Sequence, residues 1–155
     1  MLYSRHFYVG SFFLRSPPVT QSVAPYEMPI IIQPQDIDLM GHVNNIVYLR
    51  WVQDVATAHW NHAATDEEKA GLLWMVTRHE IDYLRQVFAE DKLIARTWVG
   101  KAQRRRFERH TEIRREQDGK VVAKALTWWF PVDHATKKPT TVAEEVRARF
   151  AAQVD

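Results

Sequence analysis

The chain has 155 residues, of which 46% are hydrophobic and 26% are charged, and its formal net charge is +2. This length and composition are typical of one globular domain, and the small net charge gives no reason to expect a nucleic-acid partner. No apolar run approaches the ~20 residues that cross a bilayer, so no membrane role is expected either. The lack of cysteine excludes disulfides and thiolate chemistry and is compatible with the cytoplasm, where we expect the protein to act.

Residues 1–25 are predicted to form an N-terminal extension. Residues 7–14 are apolar, but Arg15 and the Pro17-Pro18 pair interrupt this run, and few basic residues precede it. A signal peptide is therefore disfavoured, and a flexible or interface-packing extension is preferred. Residues 26–155 are expected to form a single domain.

The domain is predicted to begin with a strand, a tight loop and a helix. Residues 26–33 contain a β-branched run, in which Pro29 favours an edge strand. Residues 44–62 have the pattern of a helix, which Asn44 or Asn45 can cap. Apolar residues cover most of its circumference, so the helix should be buried nearly all round.

The rest of the chain has the pattern of antiparallel strands. Four strands are predicted, at residues 72–85, 92–103, 107–116 and 121–132. Asp118 and Gly119 form the turn between the last two. The third strand alternates, so that one face carries Phe107, Arg109, Thr111 and Ile113. A polar loop or short helix at 65–69 and a closing helix at 140–152 complete an α+β fold, in which a curved antiparallel sheet of about five strands wraps around a buried central helix.

The loop before the central helix carries the residues that could take part in a chemical reaction. Residues 36–48 have the sequence DIDLMGHVNNIVY, in which Gly41 allows a sharp turn. The N-terminus of a helix has unpaired N–H donors and positive dipole charge, which can stabilise the negative oxygen of an acyl intermediate. Asp38 lies beside this place and is expected to act as a base or nucleophile, or else to close an Asx turn. Asp36 is expected to be structural, as an orienting or salt-bridging residue.

This loop resembles the motif of the acyl thioesterases of the hotdog superfamily, both the 4-hydroxybenzoyl-CoA thioesterase-like proteins and the plant acyl-ACP thioesterases. The resemblance covers about residues 26–150 and includes the Thr97-Trp98-Val99 run. It implies a hotdog fold and a thioester hydrolase that cleaves acyl-CoA, or acyl-ACP, to a free acid and a thiol. No cofactor is implied, since coenzyme A is part of the substrate. The catalytic aspartate of the bacterial branch corresponds to Asp38. Met40 replaces an asparagine of the plant branch, which favours the bacterial mechanism.

Further roles are predicted for residues near the loop. The backbone N–H groups of Gly41, His42 and Val43 are candidates for the oxyanion hole, although an ordinary turn would use the same residues. His42 could also be a general acid or base, or a structural residue. Asn45 and Tyr48 are predicted to contact the acyl group, with helix capping and core packing as the alternatives.

The basic run is predicted to bind phosphate. Arg104, Arg105 and Arg106 could pair with the phosphates of coenzyme A, or form a solvated strand edge that discourages aggregation. No metal site is predicted, because His59 and His62 lack a third ligand.

The same pattern leaves two other functions open and indicates an oligomer. A non-catalytic acyl-binding or interaction protein remains compatible, as does a dehydratase acting on hydroxyacyl or enoyl substrates, although the Asn44-Asn45 pair fits the thioesterases better. A single hotdog unit leaves a sheet edge and one side of its groove open. A homodimer or homotetramer is therefore expected, with the pantetheine arm entering between subunits.

Overall fold

The computed structural model describes residues 24–150, so the predicted N-terminal extension lies almost wholly outside the described residues. The strands are β1 (Tyr26–Ile30), β2 (Leu72–Tyr83), β3 (Leu93–Ala102), β4 (Phe107–Arg115) and β5 (Val121–Asp133). The helices are α1 (Asn45–Ala63), α2 (Asp66–Gly71) and α3 (Glu144–Phe150), and a 3-10 turn at Pro34–Asp36 precedes α1. None of the helices within residues 24–150 combines the length and hydropathy that a bilayer crossing requires.

The five strands form one antiparallel sheet in the order β1-β3-β4-β5-β2. Among residues 24–150, strands β1 and β2 are therefore the edges of this sheet, and β2 pairs with β5 on one side only. Alternate residues of β3 and β4 are buried beneath α1, which matches the period of a strand. The predicted alternation of β4 is confirmed, because Phe107, Arg109, Thr111 and Ile113 all lie on the buried face.

Helix α1 packs across the concave face of the sheet. Its N-cap is Asn44, whose side-chain oxygen accepts the N–H of Ile46 at 3.1 Å, as the sequence predicts. The expectation that α1 is buried all round is wrong for the single chain. One sheet covers only one face of the helix, so the opposite face, which includes Arg50, Asp54 and Thr57, is exposed. The residues buried against the sheet are Val47, Tyr48, Trp51, Val52, Val55, Ala56 and His59.

The closing helix starts later than the sequence predicts. Residues 140–143 lie along the sheet instead, because the N–H of Thr140 bonds to the carbonyl of Pro131 at 3.0 Å and that of Val142 to the carbonyl of Arg104 at 3.1 Å. Helix α3 then places Phe150 against the last turns of α1, with its ring 5.3 Å from that of Trp60. This helix closes the end of the core that lies farthest from the residue 36–48 loop.

Candidate functional site

Asp36 anchors the loop that precedes α1. Its side chain is 1% exposed, and Arg50 donates hydrogen bonds to both of its carboxylate oxygens at 2.8 Å. The N–H of Gln33 adds a third bond at 2.9 Å, while the carbonyl of Asp36 accepts the N–H of Asn44 at 2.8 Å. Asp36 thus fixes the start of α1 relative to the turn, which confirms the structural role predicted for it.

Asp38 lies half-buried in the tight turn. Its Oδ1 accepts the N–H of Met40 at 2.8 Å and, more weakly, that of His42 at 3.4 Å. Its carbonyl accepts the N–H of Gly41 at 3.0 Å, and Gly41 adopts a φ of +78°, which favours glycine. Asp38 therefore closes an Asx turn, but this turn uses only Oδ1. Its Oδ2 has no hydrogen-bond partner among residues 24–150.

Three N–H groups expected to face a substrate carbonyl already have acceptors. Those of Gly41 and His42 bond to Asp38, and that of Val43 bonds to the carbonyl of Val87 at 2.9 Å. The side chain of Val43 is 3% exposed and belongs to the core. The oxyanion role predicted for Gly41, His42 and Val43 therefore needs revision, because Asp38 accepts the first two amides and the carbonyl of Val87 accepts the third.

The N–H of Asn45, two residues beyond Val43, differs from its neighbours because it has no acceptor in the described chain. The N–H groups of Ile46 and Val47 both bond to Asn44, through its side-chain oxygen at 3.1 Å and its carbonyl at 3.0 Å. Asn45 occupies the first helical position, where no intrahelical acceptor exists. Among residues 41–47, its N–H alone lacks an acceptor within the described part of the chain. A donor for an oxyanion is thus present at Asn45, one residue beyond the N-cap.

His42 in the turn and Tyr48 on α1 both make aromatic contacts. The ring of His42 contacts that of Phe88 edge-on, with centroids 5.1 Å apart. Tyr48 is 3% exposed and packs edge-on against Trp51 and Tyr83. Burial, with a smaller contribution from Tyr83, raises the pKa of Tyr48 to about 12. Tyr48 is therefore a neutral core residue. Of the two roles predicted for it, core packing is the one that a single chain shows, and contact with an acyl group is not.

The turn is surrounded by exposed apolar side chains. Leu39 and Met40 at its tip and Ile46 on α1 are largely exposed, and Tyr83 and Leu84 are about half exposed. The hydroxyl of Tyr83 donates to the carbonyl of Asn45 at 3.2 Å, so the end of the edge strand β2 lies beside the start of α1. Apolar surface of this kind commonly marks an interface.

A cavity that was not predicted from the sequence lies toward the other end of α1. It has a volume of about 340 Å³ and lies between α1, the first residues of β2 and the inner face of the sheet. Gln53, its lining residue nearest the start of the helix, lies about 12 Å beyond Asn45 at ~1.5 Å per residue. Asp38 is not among the residues that line it. The aromatic residues in its wall are Trp60, Trp74, Phe107, Trp129 and Phe150.

Arg109 is a buried charged residue in the wall of this cavity. It is 8% exposed, and its Nη1 donates to Nδ1 of His59 at 3.0 Å and to Oγ1 of Thr97 at 3.3 Å. Arginine can only donate, so Nδ1 of His59 is unprotonated. Burial, and then the charge of Arg109, lower the pKa of His59 to about 4, while burial lowers that of Arg109 to about 10. At neutral pH His59 is therefore neutral and Arg109 charged.

The three predicted phosphate ligands are exposed in the turn between β3 and β4. The N–H of Gln103 bonds to the carbonyl of Arg106 at 2.8 Å, and the guanidinium of Arg106 lies 5.3 Å from the ring of Trp128. This turn and the Asp38 loop lie at opposite ends of β3, whose 10 residues span about 33 Å. Within one chain, Arg104, Arg105 and Arg106 are therefore not brought to Asp38.

Residues 24–150 hold no group of three or more potential metal ligands.

Comparison with known proteins identifies the family. Residues 32–150 match the model of the thioesterase-like superfamily, whereas a search of curated proteins finds no match. The structure is similar to a DHNA-CoA thioesterase from Staphylococcus aureus, with 24% identity, a TM-score of 0.68, and coverage of 76% of this chain and 80% of that one. A thioesterase from Thermus thermophilus, crystallised with coenzyme A and zinc, has 22% identity, a TM-score of 0.69, and coverage of 80% and 90%. The 12:0-ACP thioesterase from Umbellularia californica has 16% identity and a TM-score of 0.68, over 81% of this chain and 49% of that one.

These similarities confirm the predicted hotdog fold, in which a curved five-stranded antiparallel sheet packs against a helix. The family model spans the Asp38 turn, α1 and every strand from β2 to β5. The chain belongs to the thioesterase-like superfamily.

Proposed function

We propose that the protein hydrolyses acyl-CoA thioesters at the N-terminus of α1. One observation carries the proposal: at this helix end, a carboxylate oxygen of Asp38 and the N–H of Asn45 both lack partners within residues 24–150. The carboxylate provides a base or a nucleophile, and the N–H provides a donor for a developing negative oxygen. The scheme requires no metal or redox cofactor.

In this scheme Asp38 accepts a proton from water as the water oxygen attacks the thioester carbon, or the carboxylate attacks that carbon itself. Either attack places negative charge on the carbonyl oxygen, which the N–H of Asn45 and the positive end of the α1 dipole stabilise. The carbon–sulfur bond then breaks, and the thiolate leaves and takes up a proton. In the nucleophilic variant, water hydrolyses the resulting anhydride and regenerates Asp38.

We further propose that a complete site requires two copies of the chain. The open edge of β2 can pair with β2 of a second copy, and an antiparallel pairing would bring the Leu72 end of one strand to the Tyr83 end of the other. Leu72 lines the cavity, whereas Tyr83 bonds to Asn45. The cavity of one subunit would then open toward Asp38 of the partner subunit.

The same pairing accounts for two further features. The apolar side chains around the turn would be covered, which removes their contact with water. The turn that contains Arg104, Arg105 and Arg106 lies at the cavity end of its own sheet, so it would approach the active site of the other subunit. Its guanidinium groups are then candidates for the coenzyme phosphates. The Thermus thermophilus neighbour, which binds coenzyme A, supports a coenzyme A thioester as substrate, and an acyl-ACP substrate is the alternative to be assayed in parallel.

The Asp38→Asn variant tests the chemistry. Asparagine keeps an oxygen that can accept the N–H of Met40, so the turn should survive, but it is neither a base nor a nucleophile. Release of free thiol from a panel of acyl-CoA and acyl-ACP thioesters should fall by about 10²–10⁴-fold. Asp54→Asn is the matched control, because Asp54 is an exposed aspartate on α1 outside the turn, and it should retain full turnover. Undiminished turnover in Asp38→Asn would rule out this role for Asp38. Saturable binding without thiol release by the wild type would favour the acyl-binding alternative.

Mixed oligomers test the shared site. Thr57 is exposed and lines the cavity, so Thr57→Trp should block the cavity without disturbing the core. Each parent variant, Asp38→Asn or Thr57→Trp, should be inactive as a homodimer. Co-refolded in equal amounts, they should recover about a quarter of wild-type activity, since half the dimers are mixed and each of these has one intact site. No recovery in verified mixed dimers would place the cavity and Asp38 of one site in the same chain.

A further inference from the structure

The cavity wall carries a positive charge, that of Arg109, which no carboxylate of residues 24–150 neutralises. The ion pairs described for residues 24–150 do not include Arg109, and the cation–π contacts involve Arg78, Arg96 and Arg106 instead. Arg115 provides a contrast: it is 19% exposed and pairs with two aspartates. Arg109 is more deeply buried, yet its two acceptors in the described chain are the neutral ring of His59 and the hydroxyl of Thr97.

This arrangement is costly unless the guanidinium meets an anion. Removing a charge from water carries a penalty that an oppositely charged partner in good geometry repays. The two bonds described for Arg109 both use Nη1, whereas a guanidinium has five N–H donors. Its remaining donors match a carboxylate, which accepts two parallel hydrogen bonds. A neutral hydroxyl would fill the space without compensating the charge.

The cavity also limits what can bring such an anion to Arg109. Its volume of about 340 Å³ is near the lower end of the ~300–1,000 Å³ range for small-molecule sites. It can hold one acyl chain of medium length, but not the coenzyme in addition. Its largely apolar wall suits a hydrocarbon chain, and Arg109 is a buried cation at its inner surface, whereas Lys69 at its rim is only partly buried.

From this geometry we infer that the preferred acyl group ends in a carboxylate, which binds the Arg109 guanidinium inside the aromatic cavity. The inference rests on the proposed thioester hydrolysis for the identity of the ligand. The substrate class is then the mono-coenzyme A thioesters of dicarboxylic acids. His59 holds Nη1 in place and remains neutral, so it does not compete for the anion.

Matched thioesters test this specificity. Hexanoyl-, octanoyl- and decanoyl-CoA are compared with adipoyl-, suberoyl- and sebacoyl-CoA, which have the same chain lengths but a terminal carboxylate. We expect kcat/KM to favour the carboxylate by about tenfold to a hundredfold at one or more lengths, the range of a hydrogen-bonded charge. Arg109→Met should abolish this ratio, because kcat/KM should fall much further on the carboxylate-ended series than on the methyl-ended series. Arg109→Lys keeps the charge without the bidentate geometry and should retain part of the ratio. A ratio near one in the wild type, or an equal loss on both series in Arg109→Met, would overturn the inference.

A binding measurement separates this inference from the proposed hydrolysis. Free suberate should raise the Tm of the wild-type protein, whereas octanoate at the same concentration should not, and Arg109→Met should lose the difference. If no thioester is hydrolysed but suberate stabilises the wild type selectively, the hydrolase proposal fails and the carboxylate site stands. If thioesters are hydrolysed without carboxylate preference and suberate has no selective effect, the reverse holds. The suberate measurement on the wild type needs no variant, so it remains decisive even where Arg109→Met does not fold.

Discussion

Replacing Asn45 by proline should remove one hydrogen-bond donor from the candidate active site and little else. Asn45 is the first residue of α1, a position where proline is favoured because its missing N–H has no helical acceptor. Asn44 has φ −62° and ψ 140°, an extended conformation that a following proline accepts. The carbonyl of Asn45, which accepts the hydroxyl of Tyr83, is retained. The substitution is therefore compatible with the backbone on both sides.

The expected effects on catalysis and stability differ. Loss of one oxyanion donor costs about 2.7–4 kcal/mol of transition-state stabilisation, so kcat should fall about 10²–10³-fold. The free energy of unfolding should stay constant or rise by about 0.4–1 kcal/mol, because proline restricts the unfolded chain. Steady-state hydrolysis of an acyl-CoA and thermal unfolding of the same preparation measure both quantities.

Asn45→Ala is the matched control, because it removes the side chain and keeps the N–H. It should retain kcat within about threefold, less than the effect of one ordinary hydrogen bond. A well-folded Asn45→Pro protein with wild-type kcat would refute the oxyanion assignment. An equal loss in both variants would assign the effect to the Asn45 side chain, which is the acyl contact predicted from the sequence.

The remaining predictions concern the loop and the buried histidine. Arg50→Gln should lower the free energy of unfolding in urea by about 2 kcal/mol, because it leaves the buried Asp36 carboxylate without a counter-ion. Asp36→Asn should cost only about 1 kcal/mol, because Arg50 is 47% exposed and can turn into water, and the opposite order would contradict this account. Gly41→Ala should cost about 1 kcal/mol from its positive φ alone, since an added Cβ meets no atom within 4 Å, and Gly41→Asn should cost less. His59 has a pKa of about 4 in the folded chain and near 6.5 when unfolded, so stability should fall by up to about 3 kcal/mol as pH drops through this window. His59→Gln should flatten that part of the pH profile, and an unchanged slope would show that other groups cause it.

Local features of the fold could be predicted because short-range chemistry determines them. The cap at Asn44 and the positive φ of Gly119 in the Asp-Gly turn both follow from neighbouring residues, and both are present. The alternation of β4 identified the residues that share a face. The late start of α3 could not be predicted, because Thr140 and Val142 bond to carbonyls of distant segments instead of continuing a helix.

Only part of the candidate site could be predicted from the sequence, because the rest depends on contacts between distant segments. The turn at Asp38 is contiguous in sequence, so its motif indicated both the carboxylate and a helix N-terminus. The cavity is assembled from α1, α2, α3 and four strands, and no local pattern marks it. One signal did exist: Arg109 shares a strand face with Phe107, Thr111 and Ile113. An arginine among core residues would have indicated a buried charge once that face was known to be the inner one.

Within one chain, helix α1 separates the proposed reacting groups at Asp38 and Asn45 from the proposed acyl cavity by several turns. Substitutions at the start of β2 or at Arg109 can therefore reshape selectivity while the hydrogen bonds around Asp38 stay intact. Variants of this fold can thus change their acyl specificity by mutation of the cavity without any change at the catalytic turn. Exchange of cavity residues between related proteins should transfer the acyl preference of the donor protein. The rate of the hydrolytic step itself should stay that of the recipient.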